Sequence, residues 1–304
     1  MTALIDHVDR YLRLRRALGY QLRDHERLLG SFVTFVEDRG TSTLTTADTL
    51  DWAAGAASAG ELGRRISVVR GFASYLAAFD ETTEVPPARI GPSSFVRRTP
   101  YLFGDEEVVA LREEASKLRP ASFAETMTTL IGLLAATGLR PGEAYRLDRG
   151  DVDTSSLRLV VRNTKWDRSR LVPLHHTTVE ALQSYYASTR WSSPGEVAFF
   201  FGRSGGRLTS ADAAHAFRGL CIAAGVSAPP GRRAPRLYDF RHSFAVATLR
   251  DWHRGGLDVE ALLPVLSAYL GHLAPANTYW YFEAAPELLE AVAARGASVI
   301  GERR

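Results

Sequence analysis

Apolar side chains recur every three or four positions over the first eighty residues. This is the period of amphipathic α-helices that bury one face. It predicts four helices over residues 3–79, with Thr45 or Thr46 capping the third, which runs through Trp52. The positions that mark the other three helices are Leu4, Val8, Tyr11, Leu12 and Leu18, then Leu28, Leu29, Phe32, Val33 and Val36, then Ile66, Val69, Phe72, Ala73 and Leu76. Residues 1–80 are therefore expected to form a small all-helical domain.

The helical period stops at Asp80, and the next twenty residues are rich in proline. Pro86, Pro87, Pro92 and Pro100 interrupt residues 81–100, which show little periodicity. Such a stretch is typical of an interdomain linker. We therefore predict a second domain over residues 101–304.

The second domain is predicted to be mainly helical with a small β-sheet, an α+β arrangement. Helices are expected near Glu106–Leu118, Ser122–Ala136, Thr177–Thr189, Ser210–Ala224, Tyr238–Trp252 and Val259–Leu270, with a last one at Pro286–Ala294. A strand–loop–strand unit is expected between them. Its parts are a strand over Leu157–Arg162, a loop over Asn163–Ser169 and a strand over Arg170–Leu174, with Val197–Phe201 as a possible third strand.

Composition and charge restrict the class of protein. No apolar stretch is long enough to span a membrane and no signal peptide is recognised, so a soluble, cytoplasmic protein is expected. The single cysteine, Cys221, excludes a disulfide within the chain and fits a reducing compartment. Residues 1–95 carry a net charge of −1 and residues 96–304 a net charge of +4. Arg97, Arg98 and Arg207 lie in the more basic part and are candidate DNA contacts, although a solvated face explains such residues equally well.

Lysine is rare in this chain. Only Lys117 and Lys165 occur among 37 basic residues. Arginine stays protonated at any usable pH, whereas lysine can release its proton. A lysine kept in so arginine-rich a chain is therefore a candidate for proton transfer, or is there by chance.

Motifs of several common enzyme classes are missing from the sequence. There is no phosphate-binding GxxxxGK[ST] loop, no HExxH, no CxxC and no GxSxG. The pairs His175-His176 and Arg241-His242 are adjacent in sequence, and neighbours do not converge on one metal. No cofactor and no metal are therefore expected.

Three short motifs occur in order in the second domain. Ala136-Thr-Gly-Leu-Arg-Pro-Gly-Glu143 ends a buried helix at Gly138 and starts another after Pro141, which places Arg140 at the break. Leu237-Tyr-Asp-Phe-Arg-His-Ser-Phe-Ala245 and Tyr269-Leu-Gly-His272 follow, and Tyr281 comes nine residues after His272. Each motif alone is weak.

Taken together, the motifs resemble the tyrosine recombinase, or phage integrase, family. That family has an arginine in a TGLRxxE setting, a hairpin lysine, an HxxRH box, an LGH box and a downstream tyrosine. Arg140, Lys165, Arg241, His272 and Tyr281 match in kind, order and spacing. The segment around Tyr281 is similar to transposon- and phage-borne members, and the helical N-terminal domain is similar to the family's core-binding, DNA-binding domain.

The resemblance implies site-specific DNA cleavage and rejoining through a covalent 3′-phosphotyrosine. A tyrosine hydroxyl can attack a phosphodiester, and the resemblance assigns this role to the hydroxyl of Tyr281. Arg140 and Arg241 would hold the non-bridging oxygens by bidentate hydrogen bonds. Lys165 would protonate the leaving 5′-oxygen, and His272 would donate to the phosphate or help to move the tyrosine proton.

One position departs from the family pattern. The residue three before the second arginine, usually histidine, is Tyr238. A tyrosine can donate one hydrogen bond to a phosphate but cannot act as a base near neutral pH, because its reference pKa is about 10. Tyr238 is thus either a tolerated donor or a sign of a weakened enzyme.

Three neighbours of these residues are expected to support them. Glu143 and Asp239 are expected to orient the two arginines, with helix N-terminal acids as the alternative. His242 is expected to be a structural residue of the second arginine's helix.

The resemblance also implies an assembly, in which a two-domain C-shaped clamp closes on double-stranded DNA and four protomers join two sites. The helix from Pro286 would dock on a neighbouring protomer. Two alternatives remain at this point: a monomeric type IB topoisomerase-like enzyme, and a catalytically inactive DNA-binding protein. Neither the DNA target nor a requirement for accessory proteins can be derived from these motifs, because base contacts depend on side-chain placement in the groove.

Overall fold

The computed structural model describes residues 4–20, 22–41, 43–88, 99–162, 169–188, 197–272 and 276–283. These residues form two compact units, one within residues 4–88 and the other within 99–283. Lys165, Arg97 and Arg98 lie outside the described residues, as does the helix expected at Pro286–Ala294. No described helix combines the length and the apolar character that a membrane crossing requires.

The first unit is a four-helix domain, as its hydrophobic period predicts. Its helices are α1 (Leu4–Ala17), α2 (Arg23–Asp38), α3 (Thr46–Ala54) and α4 (Ala59–Leu76). The predicted apolar positions form its core, with Leu29, Phe32, Val36 and Phe72 fully buried, except for Leu18, which follows the end of α1 and is 55% exposed. Thr45 is the N-cap of α3 and accepts a hydrogen bond from the main chain of Asp48.

The second unit is helical around one small sheet. The helices are α5 (Asp105–Ser116), α6 (Ala121–Thr137), α7 (Pro141–Tyr145), α8 (His176–Ser188), α9 (Ser210–Ala223), α10 (Asp239–Arg254), α11 (Val259–Leu270) and α12 (Ala276–Glu283). The strands are β1 (Val152–Asp153), β2 (Arg158–Val161) and β3 (Arg170–Pro173). They form an antiparallel sheet in the order β1-β2-β3. The mainly helical α+β class predicted from the sequence is confirmed.

The predicted hairpin is present, but the predicted third strand is wrong. β2 pairs with β3 in the register Val161↔Arg170, and β1 is the sheet's third strand. Residues 197–201 make only isolated bridges outside the sheet, one of them between Ala198 and Asp148. Phe199 and Phe200 are both buried, and their rings pack on Tyr185. The apolar run therefore reflects burial of an irregular segment and not strand pairing.

The helices that carry the motifs pack into a core of their own. Ala245, Val246 and Leu249 of α10 contact apolar residues of α11 and the ring of Tyr281. The short helix α12 is therefore anchored on α10 and α11 by the residue expected to react.

Candidate active site

The helices α6 and α11, which precede Arg140 and His272, each end at a glycine in the left-handed backbone conformation. Gly138 closes α6 with φ 59° and Gly271 closes α11 with φ 67°. A Cβ at Gly138 would lie 2.6 Å from Cδ1 of Phe244, and one at Gly271 would lie 3.0 Å from Nη1 of Arg170. The backbone conformation therefore favours glycine at both turns, and at Gly138 the space requires it as well. Arg140 and His272 follow these turns.

Arg241 joins the ends of both helices. Its side chain is fully buried, Nη1 donates to the carbonyl of Gly138 at 3.0 Å, and Nη2 donates to the carbonyl of Leu270 at 2.6 Å. Its Nε is buried, with no acceptor in good hydrogen-bonding geometry among the described residues. A positive charge at helix C-termini is favourable because the terminal carbonyls lack partners. Arg241 thus holds the two motifs together and has further N–H groups beyond the two that bind these carbonyls.

Arg140 lies beside Arg241 but reaches solvent. Its Nη2 donates to the carbonyl of Gly271 at 3.1 Å and its Nη1 to Oε1 of Glu143 at 2.8 Å. Its side chain is 32% exposed, so the guanidinium can also contact a ligand from outside. Burial and the charge of Arg140 lower the pKa of Arg241, which reflects how close the two cations lie.

Glu143 is the anion that holds this cationic cluster. It is buried, and it accepts hydrogen bonds from the side chain and the main-chain N–H of Arg140 and from Arg170. Burial would raise the pKa of Glu143, but hydrogen bonds and charge from Arg170 and Arg140 outweigh it and lower the pKa to about 2. The expectation that Glu143 orients an arginine agrees with these contacts.

Arg170 is a site residue that sequence reasoning missed. It opens β3, binds both carboxylate oxygens of Glu143 and donates from Nε to the carbonyl of Tyr269 at 2.9 Å. A signal existed, because strand alternation puts Arg170 on the same face as the buried Val172. An arginine on the inward face of a strand requires a buried partner.

His272 is fixed by a second residue that the sequence did not single out. Nδ1 of His272 lies 2.8 Å from Oγ1 of Thr278, which is buried in α12. Burial, and then the charges of Arg241 and Arg140, lower the pKa of His272 to about 4. The imidazole is therefore neutral at neutral pH, and Nδ1 is the ring nitrogen that contacts Thr278.

Tyr281 faces into the site, whereas Tyr279, the other tyrosine of α12, does not. Tyr281 is 2% exposed and its ring stacks with that of His272 at a centroid distance of 6.0 Å. Burial raises the pKa of Tyr281, and the charge of Arg241 opposes that rise. Tyr279, two residues away on α12, is 56% exposed. The helix therefore turns only Tyr281 towards the arginines.

Tyr238 and His242 form an aromatic edge to the site. Tyr238 is the N-cap of α10 and is 38% exposed. Its ring meets His242 edge-on at a centroid distance of 5.2 Å, and His242 also contacts the rings of Trp280 and Tyr281. His242 therefore packs between α10 and α12, and Tyr238 stays open to a ligand.

The structure corrects the role expected of Asp239. Its buried carboxylate accepts hydrogen bonds from the main chain and the guanidinium of Arg236, three residues earlier, at 2.8 and 2.9 Å. Arg241 takes its orientation from main-chain carbonyls instead. The reason is geometric, because Asp239 is at the first position of α10 and pairs with the chain that precedes the helix.

Arg207 is held by protein groups. It donates to the carbonyls of Tyr145 and Leu147 at 3.2 and 3.1 Å and forms an ion pair with Asp148. These contacts tie the segment after residue 201 to the end of α7. A DNA contact by Arg207 stays a prediction.

Comparison with known proteins identifies relatives along the chain. Residues 103–287 match the model of the phage integrase family. A putative integrase/recombinase, y4rB of Sinorhizobium fredii, is 37% identical over 304 residues, which cover 95% of this chain and 96% of that protein. The tyrosine recombinase XerC of Mycobacterium tuberculosis H37Ra is 30% identical over 308 residues, covering 96% and 97% of the two chains.

A solved structure shares the fold. A lambda integrase tetramer bound to a Holliday junction superposes with a TM-score of 0.65 at 17% identity, covering 92% of this chain and 77% of that one. At this identity the likeness concerns the fold. The matched family model includes every motif of the site, from Arg140 to Tyr281.

Proposed function

The chain belongs to the phage integrase family, the tyrosine recombinases, and is a site-specific DNA recombinase that breaks and rejoins DNA strands; from this premise we propose that Tyr281 is its nucleophile. The observation that carries the proposal is the position of Tyr281, buried beside Arg241 and stacked on His272. In this mechanism its hydroxyl attacks the scissile phosphorus, the bond to the 5′-oxygen breaks, and a 3′-phosphotyrosine forms. The phosphodiester energy is kept, so rejoining requires no ATP.

The arginines bind the phosphate in this mechanism. Negative charge grows on the non-bridging oxygens in the transition state. The partly exposed guanidinium of Arg140 and the N–H groups of Arg241 that do not bind main-chain carbonyls supply donors where that charge develops. Both groups are already held by carbonyls and by Glu143, so little reorganisation accompanies the reaction.

Proton transfer and hydrogen bonding to the phosphate fall to three residues. Lys165, which lies between β2 and β3 in the sequence, protonates the leaving 5′-oxygen. His272, neutral and held at Nδ1 by Thr278, uses Nε2 to bind the phosphate or to accept the tyrosine proton. Tyr238 donates one hydrogen bond to a non-bridging oxygen, the task of the family's usual histidine.

DNA and further copies of the chain are the partners in this proposal. Double-stranded DNA is the substrate, and four protomers assemble on two sites. The architecture shared with lambda integrase, whose tetramer binds a Holliday junction, supports this assembly. The helical first unit is the core-binding domain, and the protein acts in the cytoplasm, where its DNA lies.

Covalent trapping in cells tests the proposed function. Cells expressing the wild-type protein are lysed in denaturant, the protein is captured, and the DNA attached to it is sequenced. We expect discrete attachment sites with wild type and with Tyr279→Phe, and none with Tyr281→Phe. An inactive DNA-binding protein would give no adduct in any of the three. A topoisomerase-like enzyme would give adducts spread over many sequences and would relax a supercoiled plasmid as a monomer.

A further inference from the structure

Glu143 accepts two hydrogen bonds from each of two arginines. Oε1 accepts from Nη1 of Arg140 at 2.8 Å and from Nη1 of Arg170 at 2.9 Å. Oε2 accepts from the main-chain N–H of Arg140 at 3.0 Å and from Nη2 of Arg170 at 2.8 Å. Arg170 therefore makes the two-pronged ion pair, and the side chain of Arg140 makes a single bond.

We propose that Arg170 is a positioning residue that acts as the counter-ion of Glu143 and so leaves the charge of Arg140 available to the scissile phosphate. The inference rests on the proposed function. It assigns a role to a residue outside the three sequence motifs, at the start of β3.

The charges of the cluster support this role. Arg140, Arg170 and Arg241 give three positive charges against the one negative charge of Glu143, a net of +2. His272 adds none at neutral pH. Without Arg170 the net charge would fall to +1, while the phosphate becomes more negative as it is attacked. Charges in a buried site are poorly screened, so this difference acts on the transition state.

The geometry supports it as well. Without Arg170, the buried Glu143 would attract the guanidinium of Arg140 into a two-pronged ion pair. That movement would take Nη2 of Arg140 from the carbonyl of Gly271 and turn the side chain away from solvent. By holding both carboxylate oxygens, Arg170 prevents it.

Arg170 acts through its neighbours and not on DNA. Nε, Nη1 and Nη2 each have a protein acceptor, in Tyr269 and Glu143. Its side chain is 14% exposed, less than half of the value for Arg140. The guanidinium also lies against Gly271, where there is no Cβ to displace it.

The test compares charge variants in single-turnover cleavage. The substrate is a nicked suicide duplex built from a DNA site trapped in cells. A second duplex carries a methylphosphonate at the scissile position, which replaces one charged oxygen by a neutral methyl group. The variants are Arg170→Gln, Arg170→Lys and the double change Glu143→Gln with Arg170→Gln. Arg158→Gln is the matched control, since Arg158 lies on the neighbouring strand and pairs with Asp153 at the surface.

Arg170→Gln should form adduct at least about tenfold more slowly than wild type on phosphate, with DNA affinity changed little. The ratio of the wild-type rate to the Arg170→Gln rate should be smaller on the methylphosphonate, because less negative charge develops there. The double change should be faster than Arg170→Gln, because it removes the uncompensated anion as well. Arg158→Gln should match wild type on both substrates.

Three results would overturn the inference: wild-type rates in Arg170→Gln, an equal deficit on both substrates, or no recovery in the double change. Thermal melting checks that each variant is folded. If Arg170→Gln does not fold, Arg170→Lys decides, because lysine keeps the positive charge. Its rate of adduct formation should stay within about tenfold of the wild-type rate. A folded Arg170→Lys protein that is more than about tenfold slower than wild type would reject the inference. A wild type that forms no adduct would instead reject the proposed function.

Discussion

Oγ1 of Thr278 lies 2.8 Å from Nδ1 of His272, so a hydrogen bond joins the helix that carries Tyr281 to the turn that ends α11. Thr278→Val keeps the shape and removes the bond. We expect adduct formation to slow by about 3–10-fold, since a neutral hydrogen bond contributes about 0.5–1.5 kcal/mol. Thr278→Ser should restore the rate. Thr248→Val is the control, because Thr248 donates to the carbonyl of Phe244 within its own helix, α10. Equal rates for the two valine variants would remove Thr278 from the mechanism.

The stability of the DNA-free protein should depend on His272 at mildly acid pH. Its pKa is lowered to about 4 by burial and then by Arg241 and Arg140, against an ordinary value of 6.5. Between these values the unfolded chain binds a proton that the folded protein does not, so stability falls as the pH falls. Urea unfolding at pH 7 and pH 5 should show a smaller loss for His272→Gln than for wild type. Parallel losses in the two proteins would contradict the shift. The pKa of His25 in the first unit is also lowered, by burial and by the charge of Arg15. The same unfolding measurements on His25→Gln should therefore show a smaller loss of stability at pH 5 than wild type.

Gly138 should not tolerate alanine. Its φ is 59° and an added Cβ would approach Cδ1 of Phe244 to 2.6 Å. The left-handed conformation alone costs about 1–2 kcal/mol for a residue with a Cβ, and the clash adds to it. Gly138→Ala should therefore lower the melting temperature markedly. Gly150→Ala should not, since a Cβ added there would meet nothing within 4 Å and its φ is not positive. Similar melting temperatures for the two variants would contradict this account.

Lys165 should act on the leaving oxygen. Lys165→Ala is expected to cleave ordinary DNA slowly. A 5′-bridging phosphorothiolate, in which sulfur replaces that oxygen, has a leaving group that requires no proton, so this substrate should largely restore the rate. Tyr281→Phe should stay inactive on both substrates. A Lys165→Ala protein equally slow on both would exclude the acid role.

Tyr238 should contribute through its hydroxyl. Tyr238→Phe keeps the ring that packs on His242 and removes only the oxygen. Cleavage should slow by roughly one to two orders of magnitude, because a hydrogen bond to a charged group contributes about 1.5–3 kcal/mol. Tyr238→His should match or exceed wild type. Should Tyr238→Phe cleave as fast as an active wild type, the hydroxyl does not touch the phosphate.

Local patterns in the sequence predicted most of the fold. Helical periodicity located most helices of both units, but not α12, and the strand pattern on either side of residues 163–169 located β2 and β3. The apolar run at 197–201 was misjudged because a buried irregular segment and a buried strand have the same composition.

The site was only partly accessible to the same reasoning. Motif spacing singled out Arg140, Arg241, His272 and Tyr281, which the structure brings together. Arg170 escaped notice because its partners are 27 and 99 residues away in the chain. Asp239 was assigned the wrong arginine because spacing along a helix does not show which way a terminal side chain turns. Pairings between distant segments depend on how the helices pack, which no local pattern contains.

The position of Arg241 bears on how inactive descendants of such an enzyme would look. The guanidinium of Arg241 donates hydrogen bonds to the carbonyls that end α6 and α11. Its loss would leave these buried carbonyls without donors and would destabilise the fold as well as impair catalysis. A copy that no longer needs to cut DNA, but still has to fold and bind it, keeps this arginine under selection. The hydroxyl of Tyr281 interacts with Arg241, but a phenylalanine ring would fill the same place against α10 and α11. Decay is therefore expected to appear first as phenylalanine at position 281, in a sequence whose arginines remain intact.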